Sequence, residues 1–318
     1  MPAVRAGGER MTVFDLAELA SDVGPNARNV GVMIELEGGA PGLDAVRASV
    51  GDGVGLVPRL AQRMRRVPLG CGRPVWEDVA VYLDHHVRPG PPTRRTCSTS
   101  PPRLLFEALD PAHPWWTLTV VDLPAAGRCA LVWSSHHAMA DGPSVLRAVL
   151  PLVQDGPTRE LPPPRTVPGR ARLAREAWAA RVRVLGGAPR WPRRLVGLRE
   201  LVVSTYVRVP ASPLNRPVTA GYVLRTVDVD LTGLGAGAHS CGATINDALL
   251  WAWGRAVHRR LAADGTGPAP VVVTCTVTRP SAEIENHVGA VRIAVAPPWG
   301  SVPAELAALA RTRGAASA

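Results

Sequence analysis

The 318-residue chain contains no lysine, few aromatic residues and no closely spaced cysteine pair. Aromatic residues make up only 4% of the sequence, too few for the base-stacking surfaces of nucleic-acid-binding proteins. No recognised nucleic-acid-binding motif is present, so we expect no nucleic-acid partner. The five cysteines lie far apart and form no Cys-x-x-Cys pair. This spacing predicts reduced core thiols rather than disulfides or a zinc site.

Long apolar segments are also absent. No apolar run approaches the roughly 18 residues that a membrane-spanning helix requires. The N-terminal residues lack the apolar segment of a signal peptide. We therefore expect a cytoplasmic protein, with peripheral attachment to the inner membrane or to lipid droplets as an open alternative.

Positive charge is concentrated in one segment. All 36 basic residues are arginine, and residues 159–200 contain 11 Arg against 3 Glu. Such a patch can contact an anionic membrane surface. The helical part of this segment also has an apolar face that can pack on the protein as a crossover between domains. We favour the crossover, and the two interpretations are compatible. The apolar residues of this face are Leu173, Trp178, Val182 and Leu185.

The order of predicted elements is typical of an α/β protein with two halves. We predict an N-terminal half at 1–155, a Pro- and Arg-rich crossover with a basic helix at 156–212, and a C-terminal half at 213–318. Glycines between Leu43 and Met64 favour two short helices there over one. Strands are predicted at 29–38, 116–122, 129–134, 221–230, 270–278 and 290–296. Helices are predicted around 13–19, at 102–110, 144–151, 171–185 and 244–262, and from 303 onward.

Two adjacent histidines, His136 and His137, follow the predicted strand at 129–134. The unperturbed pKa of histidine suits general base catalysis near neutral pH. Asp141, four residues after His137, can hold the turn through a hydrogen bond or an ion pair, and Gly142 leaves space where a side chain would obstruct a substrate. Packed core histidines or a metal site are the alternatives. We disfavour zinc at this pair, because adjacent side chains of an extended strand point apart and no further ligand lies at suitable spacing.

The sequence from His136 to Gly142 resembles the HHxxxDG motif of the CoA-dependent acyltransferase superfamily. The surrounding sequence is similar to one branch, the bacterial wax ester synthase/diacylglycerol acyltransferase family, from about residue 11 to about residue 311. The resemblance is specific because several motifs occur in the family's order and spacing. The further matching segments are 72–78 with 83–88 (the "grPvW…HvR" stretch), 110–117 (the PLWE region), 243–250 ("tvNDvlL"), 276–280 ("PVSlR") and 285–289 ("GN").

Two departures accompany the resemblance. The PLWE position reads Pro114-Trp115-Trp116-Thr117 and lacks the acidic residue. Family members also continue well beyond the Asn286 region. The resemblance therefore implies two halves like chloramphenicol acetyltransferase, each a mixed sheet with flanking helices, with the second half incomplete.

The resemblance also implies an activity: transfer of a long-chain acyl group from acyl-CoA to diacylglycerol or a long-chain alcohol. Acyl-CoA would be a co-substrate, and neither a cofactor nor a metal is implied. His137 matches the family's general base, and His136 is expected to be a turn residue. The alternatives are a non-catalytic lipid-binding remnant of the family and a condensation-type acyltransferase with a different acceptor.

Further residues receive supporting roles. The resemblance implies an ion pair between Asp141 and Arg279 that locks the histidine turn. Asn246 either caps a helix N-terminus or shapes the active site, and Asp247 shares this alternative. Asn286 is expected to supply a hydrogen bond in the cleft. We expect His85 and His86 to be solvated or structural.

Overall fold

The computed structural model describes most of the chain, and its elements form two compact units. The first unit contains strands β1 to β7 and helices α1 to α5, and the second contains helices α6 to α8 and strands β8 and β9. The described residues are 9–91, 104–123, 127–153, 158–161, 163–185, 213–217, 219, 227–265, 267, 269–278, 288–298 and 300–317.

The strands are β1 (Glu9–Arg10), β2 (Asn29–Glu37), β3 (Gln62–Arg65), β4 (Val75–Asp78), β5 (Val87–Pro89), β6 (Trp116–Leu123), β7 (Arg128–His136), β8 (Val271–Thr278) and β9 (Val288–Val295). The α-helices are α1 (Val13–Ser21), α2 (Leu43–Val54), α3 (Leu83–His86), α4 (Gly142–Val153), α5 (Arg170–Leu185), α6 (Leu231–Ser240), α7 (Ile245–Ala263) and α8 (Val302–Ser317). Short 3₁₀ helices occupy Pro58–Ala61 and Pro213–Asn215. No described helix combines the length and hydropathy that crossing a membrane requires.

The main sheet of the first unit has the order β2-β7-β6-β5. It is mixed, because β5 pairs with β6 in parallel while β2, β7 and β6 are antiparallel neighbours. Eight of the nine residues of β7 are buried. Burial on both faces explains why β7 carries a continuous apolar run from Cys129 to Trp133 rather than an alternating pattern. The mixed sheet with flanking helices confirms the predicted α/β class.

A stack of three aromatic rings occupies the centre of this core. The ring of Trp116 lies parallel to that of Trp133 at a centroid distance of 4.8 Å, and His86 stacks on Trp116 at 4.1 Å. The Trp116 indole N–H donates to the carbonyl of Leu60 at 2.8 Å. His86 Nδ1 lies 2.8 Å from the Trp116 carbonyl, which can only accept, so Nδ1 carries the proton. Burial lowers the pKa of His86 to about 4, and its structural role is as predicted.

Helix α5 packs against the small sheet β1-β4-β3 of the first unit. Its backbone carbonyl at Leu173 accepts a hydrogen bond from Arg10 at 2.9 Å, and Leu173 is buried beside Cys71. The predicted crossover, 156–212, includes this helix with one apolar face. Of that face, Leu173 is buried, whereas Trp178 and Val182 are 62% and 60% exposed.

The second unit contains one described sheet, the antiparallel pair β8-β9. Helix α8 packs on β9, and Leu309 of α8 joins Leu250, Ile293 and Val295 in an apolar cluster. Helix α6 was not predicted, because its three glycines lower helix propensity. Asp230 caps it by accepting hydrogen bonds from the backbone N–H groups of Thr232 and Gly233, each at 3.0 Å.

The predicted helix at 102–110 is wrong for residues 104–110, which form no α-helix. The carbonyl of Leu105 instead accepts hydrogen bonds from Ser134 Oγ at 2.6 Å and Asn29 Nδ2 at 3.2 Å. Asn29 Nδ2 also reaches the carbonyl of Glu107 at 2.8 Å. These carbonyls bond to side chains of the main sheet and are not available for intrahelical hydrogen bonds.

Candidate active site

The histidine pair lies where β7 ends, and both neighbours of the strand hold its backbone. The N–H of His136 donates to the carbonyl of Trp115 at 3.0 Å, and that of His137 donates to the carbonyl of Arg28 at 2.8 Å. His136 is the last residue of β7 and pairs with Asn29 of β2. The strand ends two residues later than predicted, so His136 is its last residue and His137 is the first residue of the turn. Their backbone positions are therefore set by the sheet.

The side chain of His136 is buried and hydrogen-bonded through both ring nitrogens. Nδ1 accepts the backbone N–H of Ala138 at 3.0 Å, so in the neutral ring the proton is on Nε2. Nε2 lies 3.2 Å from Oδ2 of Asp22, which accepts it. Burial lowers the pKa of His136 below its ordinary value, and the hydrogen bond and charge of Asp22 offset part of this effect. The two hydrogen bonds of the His136 ring thus hold the turn in place.

This lowered pKa predicts acid-dependent stability. Below about pH 6.5 the unfolded chain takes up a proton at His136 that the folded chain does not, so the free energy of unfolding falls as pH falls toward the folded pKa. The effect is at most about 1.4 kcal/mol per pH unit. Urea unfolding of the wild type and of His136→Gln between pH 7.5 and 5.5 measures it. The wild type should lose more stability than the variant over this interval, and equal losses would refute the assignment.

His137 lies beside an acidic side chain from α1. Its Nδ1 is buried and lies 3.8 Å from Oε2 of Glu18, with no hydrogen-bond partner among the described residues. The same carboxylate oxygen accepts a hydrogen bond from Nε of Arg28 at 2.9 Å. Arg28 therefore contributes twice here, since its carbonyl also holds the His137 backbone. The side chain of His137 keeps 27% exposure, so other atoms of the ring reach the surface.

Asp141 holds the end of the histidine turn by capping α4. Its Oδ1 accepts the backbone N–H of Ser144 at 2.9 Å, and its carbonyl accepts that of Val145 at 2.8 Å. The carboxylate is buried, at 1% exposure. A hydrogen bond that holds the turn is one of the two roles predicted for Asp141. At Gly142 an added Cβ would meet no described atom within 4 Å.

Asp247 and Asn246 lie at the start of α7 in the second unit. The N-cap is Thr244, whose hydroxyl accepts the N–H of Asp247 at 3.2 Å, and the carboxylate of Asp247 in turn accepts the N–H of Thr244 at 2.9 Å. The cap prediction is therefore wrong for Asn246, which lies in the first turn and is exposed. Burial alone would raise the pKa of Asp247, but Arg313 at 2.6 Å and the Thr244 bonds outweigh it and lower the pKa. Asp247 is structural in this unit.

Arg279 and Asn286, the remaining predicted site residues, lie outside the described residues. The ion pair between Asp141 and Arg279 and the cleft role of Asn286 stay predictions.

An apolar cavity of about 550 Å³ lies along β2, close to the strands that present the histidines. Val32 lines it, three residues along β2 from the partner of His136, which corresponds to about 10 Å. Among the described residues that line it, Ser49 has the only polar side chain. Its walls come from β2, the loop after it, α2, β7 and α4: Val32, Ile34, Leu36, Pro41, Ala45, Val46, Ser49, Leu131, Leu146, Val149, Leu150 and Leu152.

Two acidic side chains that face the histidines, Glu18 and Asp22, were not predicted from the sequence. Glu18 and Asp22 are four residues apart, and Asp15 precedes Glu18 by three, so a helical face of carboxylates was visible. Asp15 closes the capping box of α1 with Thr12 and also lies 3.2 Å from the Trp76 indole nitrogen. Nothing in the spacing showed that this helix meets the end of β7, since more than 100 residues separate Glu18 from His137.

A family model and the curated relatives of this chain point to the same family. A family model described as the wax ester synthase/diacylglycerol acyltransferase catalytic domain matches residues 29–249. A candidate diacylglycerol O-acyltransferase of Mycobacterium bovis is 28% identical over 254 residues, which cover 70% of this chain and 49% of that protein. One from Mycobacterium tuberculosis is 29% identical over 259 residues, covering 72% and 53%. The chain thus spans about half the length of the curated relatives it matches.

Solved structures show the same fold. The wax ester synthase/diacylglycerol acyltransferase of Marinobacter aquaeolei superposes with a TM-score of 0.62 at 17% identity, covering 97% of this chain and 72% of that one. The first condensation domain of the calcium-dependent antibiotic synthetase gives 0.59 at 17% identity, covering 99% and 74%. The α/β fold is therefore that of chloramphenicol-acetyltransferase-like proteins, as predicted. Because the family model matches more than half of its residues, the chain belongs to the wax ester synthase/diacylglycerol acyltransferase family.

Proposed function

We propose that this chain is an acyl-CoA-dependent O-acyltransferase that esterifies diacylglycerol or a long-chain alcohol, with His137 as the general base. The observation that carries the proposal is the placement of His137. Its backbone is fixed at the end of a buried strand, and its Nδ1 faces a carboxylate while part of the ring stays accessible. A general base needs a fixed ring with one nitrogen free for the substrate.

The proposed reaction transfers one proton and one acyl group. His137 takes the proton of the acceptor hydroxyl through Nε2, because Nδ1 is buried beside Glu18. The hydroxyl oxygen attacks the thioester carbonyl, the new C–O bond forms, and the C–S bond breaks. The imidazolium then returns the proton to the CoA thiolate, which leaves as the thiol. No covalent acyl-enzyme is required.

The surroundings of the histidines support lipid substrates. A cavity of about 550 Å³ with almost entirely apolar walls is within the size range of small-molecule sites. Helix α5 exposes Trp178 and Val182 between arginines 175, 181 and 183. An exposed tryptophan among arginines is typical of surfaces that bind anionic lipid interfaces. Peripheral attachment at such a surface is part of the proposal.

The test is acyl transfer from labelled palmitoyl-CoA by the full chain. Hexadecanol and a diacylglycerol are offered as acceptors, each in vesicles with and without anionic lipid. We expect ester with at least one acceptor, formed faster on anionic vesicles, and His137→Ala should lower the rate at least about a hundredfold. A folded wild type that forms no ester with either acceptor would contradict the proposal and favour a lipid-binding remnant. Transfer to an amine but not to these alcohols would favour condensation-type chemistry.

Glu18 is proposed as a positioning residue for His137. Its negative charge, 3.8 Å from Nδ1, stabilises the imidazolium that forms during the reaction, although Arg28 neutralises part of it. Glu18→Gln keeps the shape and removes the charge. We expect kcat to fall about fivefold, equivalent to about 1 kcal/mol for a partly exposed ion pair, with KM unchanged.

Glu35→Gln is the matched control, because Glu35 pairs with Arg128 at 3.3 Å at the far end of β2. It removes an ion pair whose arginine is about as exposed as Arg28, 52% against 48%, and it does not touch the histidines. An equal loss of kcat in both variants would mean that general destabilisation, rather than the charge beside His137, causes the effect.

A further inference from the structure

Two histidines and an aspartate that the acyltransferase chemistry does not use come together on the first unit. The possible ligand atoms of His85, Asp110 and His113 all lie within 4.8 Å of one another. His85 belongs to α3, and Asp110 and His113 belong to the turn before β6. His85 lies 25 residues before Asp110 and 28 before His113, so the sequence spacing did not indicate a shared metal site.

The geometry points to a binding site for a divalent transition metal, with Zn²⁺ as the preferred ion, held by His85, His113 and Asp110. Two imidazole nitrogens and one carboxylate oxygen are ligands that Zn²⁺ binds well, and three protein ligands leave a fourth position for water. Mg²⁺ and Ca²⁺ prefer oxygen ligands and do not suit this set.

The two imidazole rings are already placed side by side. They stack at a centroid distance of 3.9 Å with an interplanar angle of 25°. His113 Nε2 lies 4.0 Å from Asp110 Oδ2. Because Zn–N and Zn–O bonds are about 2.0–2.2 Å, two ligand atoms of one ion lie roughly 3–3.6 Å apart, so small side-chain rotations are enough.

The backbone of the ligand turn is fixed independently of any ion. Asp110 Oδ1 accepts the N–H of Ala112 at 2.8 Å, which leaves Oδ2 directed toward His113. The carbonyl of Asp110 accepts the N–H of His113 at 3.2 Å. Arg63 donates to the carbonyl of Ala112 at 3.0 Å. Because the turn is already ordered, binding of a metal ion costs little conformational entropy.

Two arginines lie near the cluster, and both are paired with carboxylates. Arg88 forms an ion pair with Glu107, and Arg63 pairs with Glu77 at 3.0 Å. Their positive charge is therefore partly neutralised before an ion binds. Asp110 supplies the negative charge of the site itself, and a bound ion would link α3 to the turn that precedes β6.

The test is titration of the metal-free full chain with Zn²⁺ against a chromophoric chelator, with Mg²⁺ in parallel. We expect one Zn²⁺ per chain, and affinity at least about tenfold weaker in His113→Gln and in His85→Gln, since even changes around metal ligands cost that much. Asp110→Asn keeps the acceptor for Ala112 and loses the charge, so it should also weaken binding. Zn²⁺ should raise the melting temperature of the wild type more than that of His113→Gln.

His239→Gln, an exposed histidine of α6 in the second unit, is the control and should bind like the wild type. Unchanged affinity in both His85→Gln and His113→Gln would overturn the proposal. So would weakening by His137→Gln alone, which would move the zinc to the histidine pair. Loss of acyl transfer is not a readout here, so failure of the metal site and failure of the proposed enzyme activity are distinguishable.

Discussion

Replacing His137 by alanine is expected to lower the rate of acyl transfer by about 10²- to 10⁴-fold, the contribution of a positioned general base. The loss should appear in kcat, because the ring acts on the proton in the transition state rather than in substrate binding. The side chain is 27% exposed and its backbone hydrogen bond to Arg28 does not need the ring, so the fold should survive. Initial rates with saturating palmitoyl-CoA measure the effect.

His239→Ala provides the control for this experiment, because it removes an exposed histidine from α6. It should leave the rate unchanged. Circular dichroism of both variants should match the wild type. A His137→Ala enzyme that retains the wild-type rate would show that another group removes the proton from the acceptor hydroxyl.

Trp116→Ala is expected to cost about 3–5 kcal/mol of unfolding free energy, the usual range for removing a fully buried large aromatic side chain. Trp116 has 0% exposure and lies between the rings of His86 and Trp133. The substitution leaves a cavity in the stack and leaves the carbonyl of Leu60 without the indole donor. Urea unfolding followed by circular dichroism measures the change in midpoint.

Trp178→Ala tests the same substitution at an exposed position. Trp178 is 62% exposed, so the expected change is within about 0.5 kcal/mol. Trp116→Phe should fall between the two, since it keeps a stacked ring and loses the hydrogen bond. Equal destabilisation by Trp116→Ala and Trp178→Ala would mean that the ring stack does not hold the first unit together.

The sequence predicted those parts of the site that local signals determine. The alternating stretch from Trp116 and the apolar run from Cys129, separated by turn residues, predicted the two strands that lead to His136 and His137. The matching motifs around Asp141 then gave the family. Asp247 and Asn246 show the limit of this reasoning: the motif placed both at a helix start, but only the contacts with Thr244 and Arg313 separate the roles.

What the sequence could not give depends on contacts between distant segments. Glu18 reaches His137, and His85 meets His113, only because the sheet brings their elements together. The effect of glycine on helix formation also depended on such contacts. Gly53 weakens helix propensity but lies inside α2, where an added Cβ would be 2.6 Å from the carbonyl of Pro151. Close packing of α2 on α4 therefore outweighs the intrinsic preference.

Because β7 lies between β2 and β6, the backbone at His136 and His137 is held on both sides and resists local opening. Their backbone amides are bonded to strands or loops on both sides, at Trp115 and Arg28, inside the most deeply buried part of the first unit. Amides in such places exchange with solvent only through large-scale opening, whereas loops exchange through local fluctuations. The proposed catalytic base, His137, therefore follows a strand that we expect to open only when the first unit unfolds on a large scale. Substitutions in the surrounding loops can therefore alter substrate preference without displacing His137.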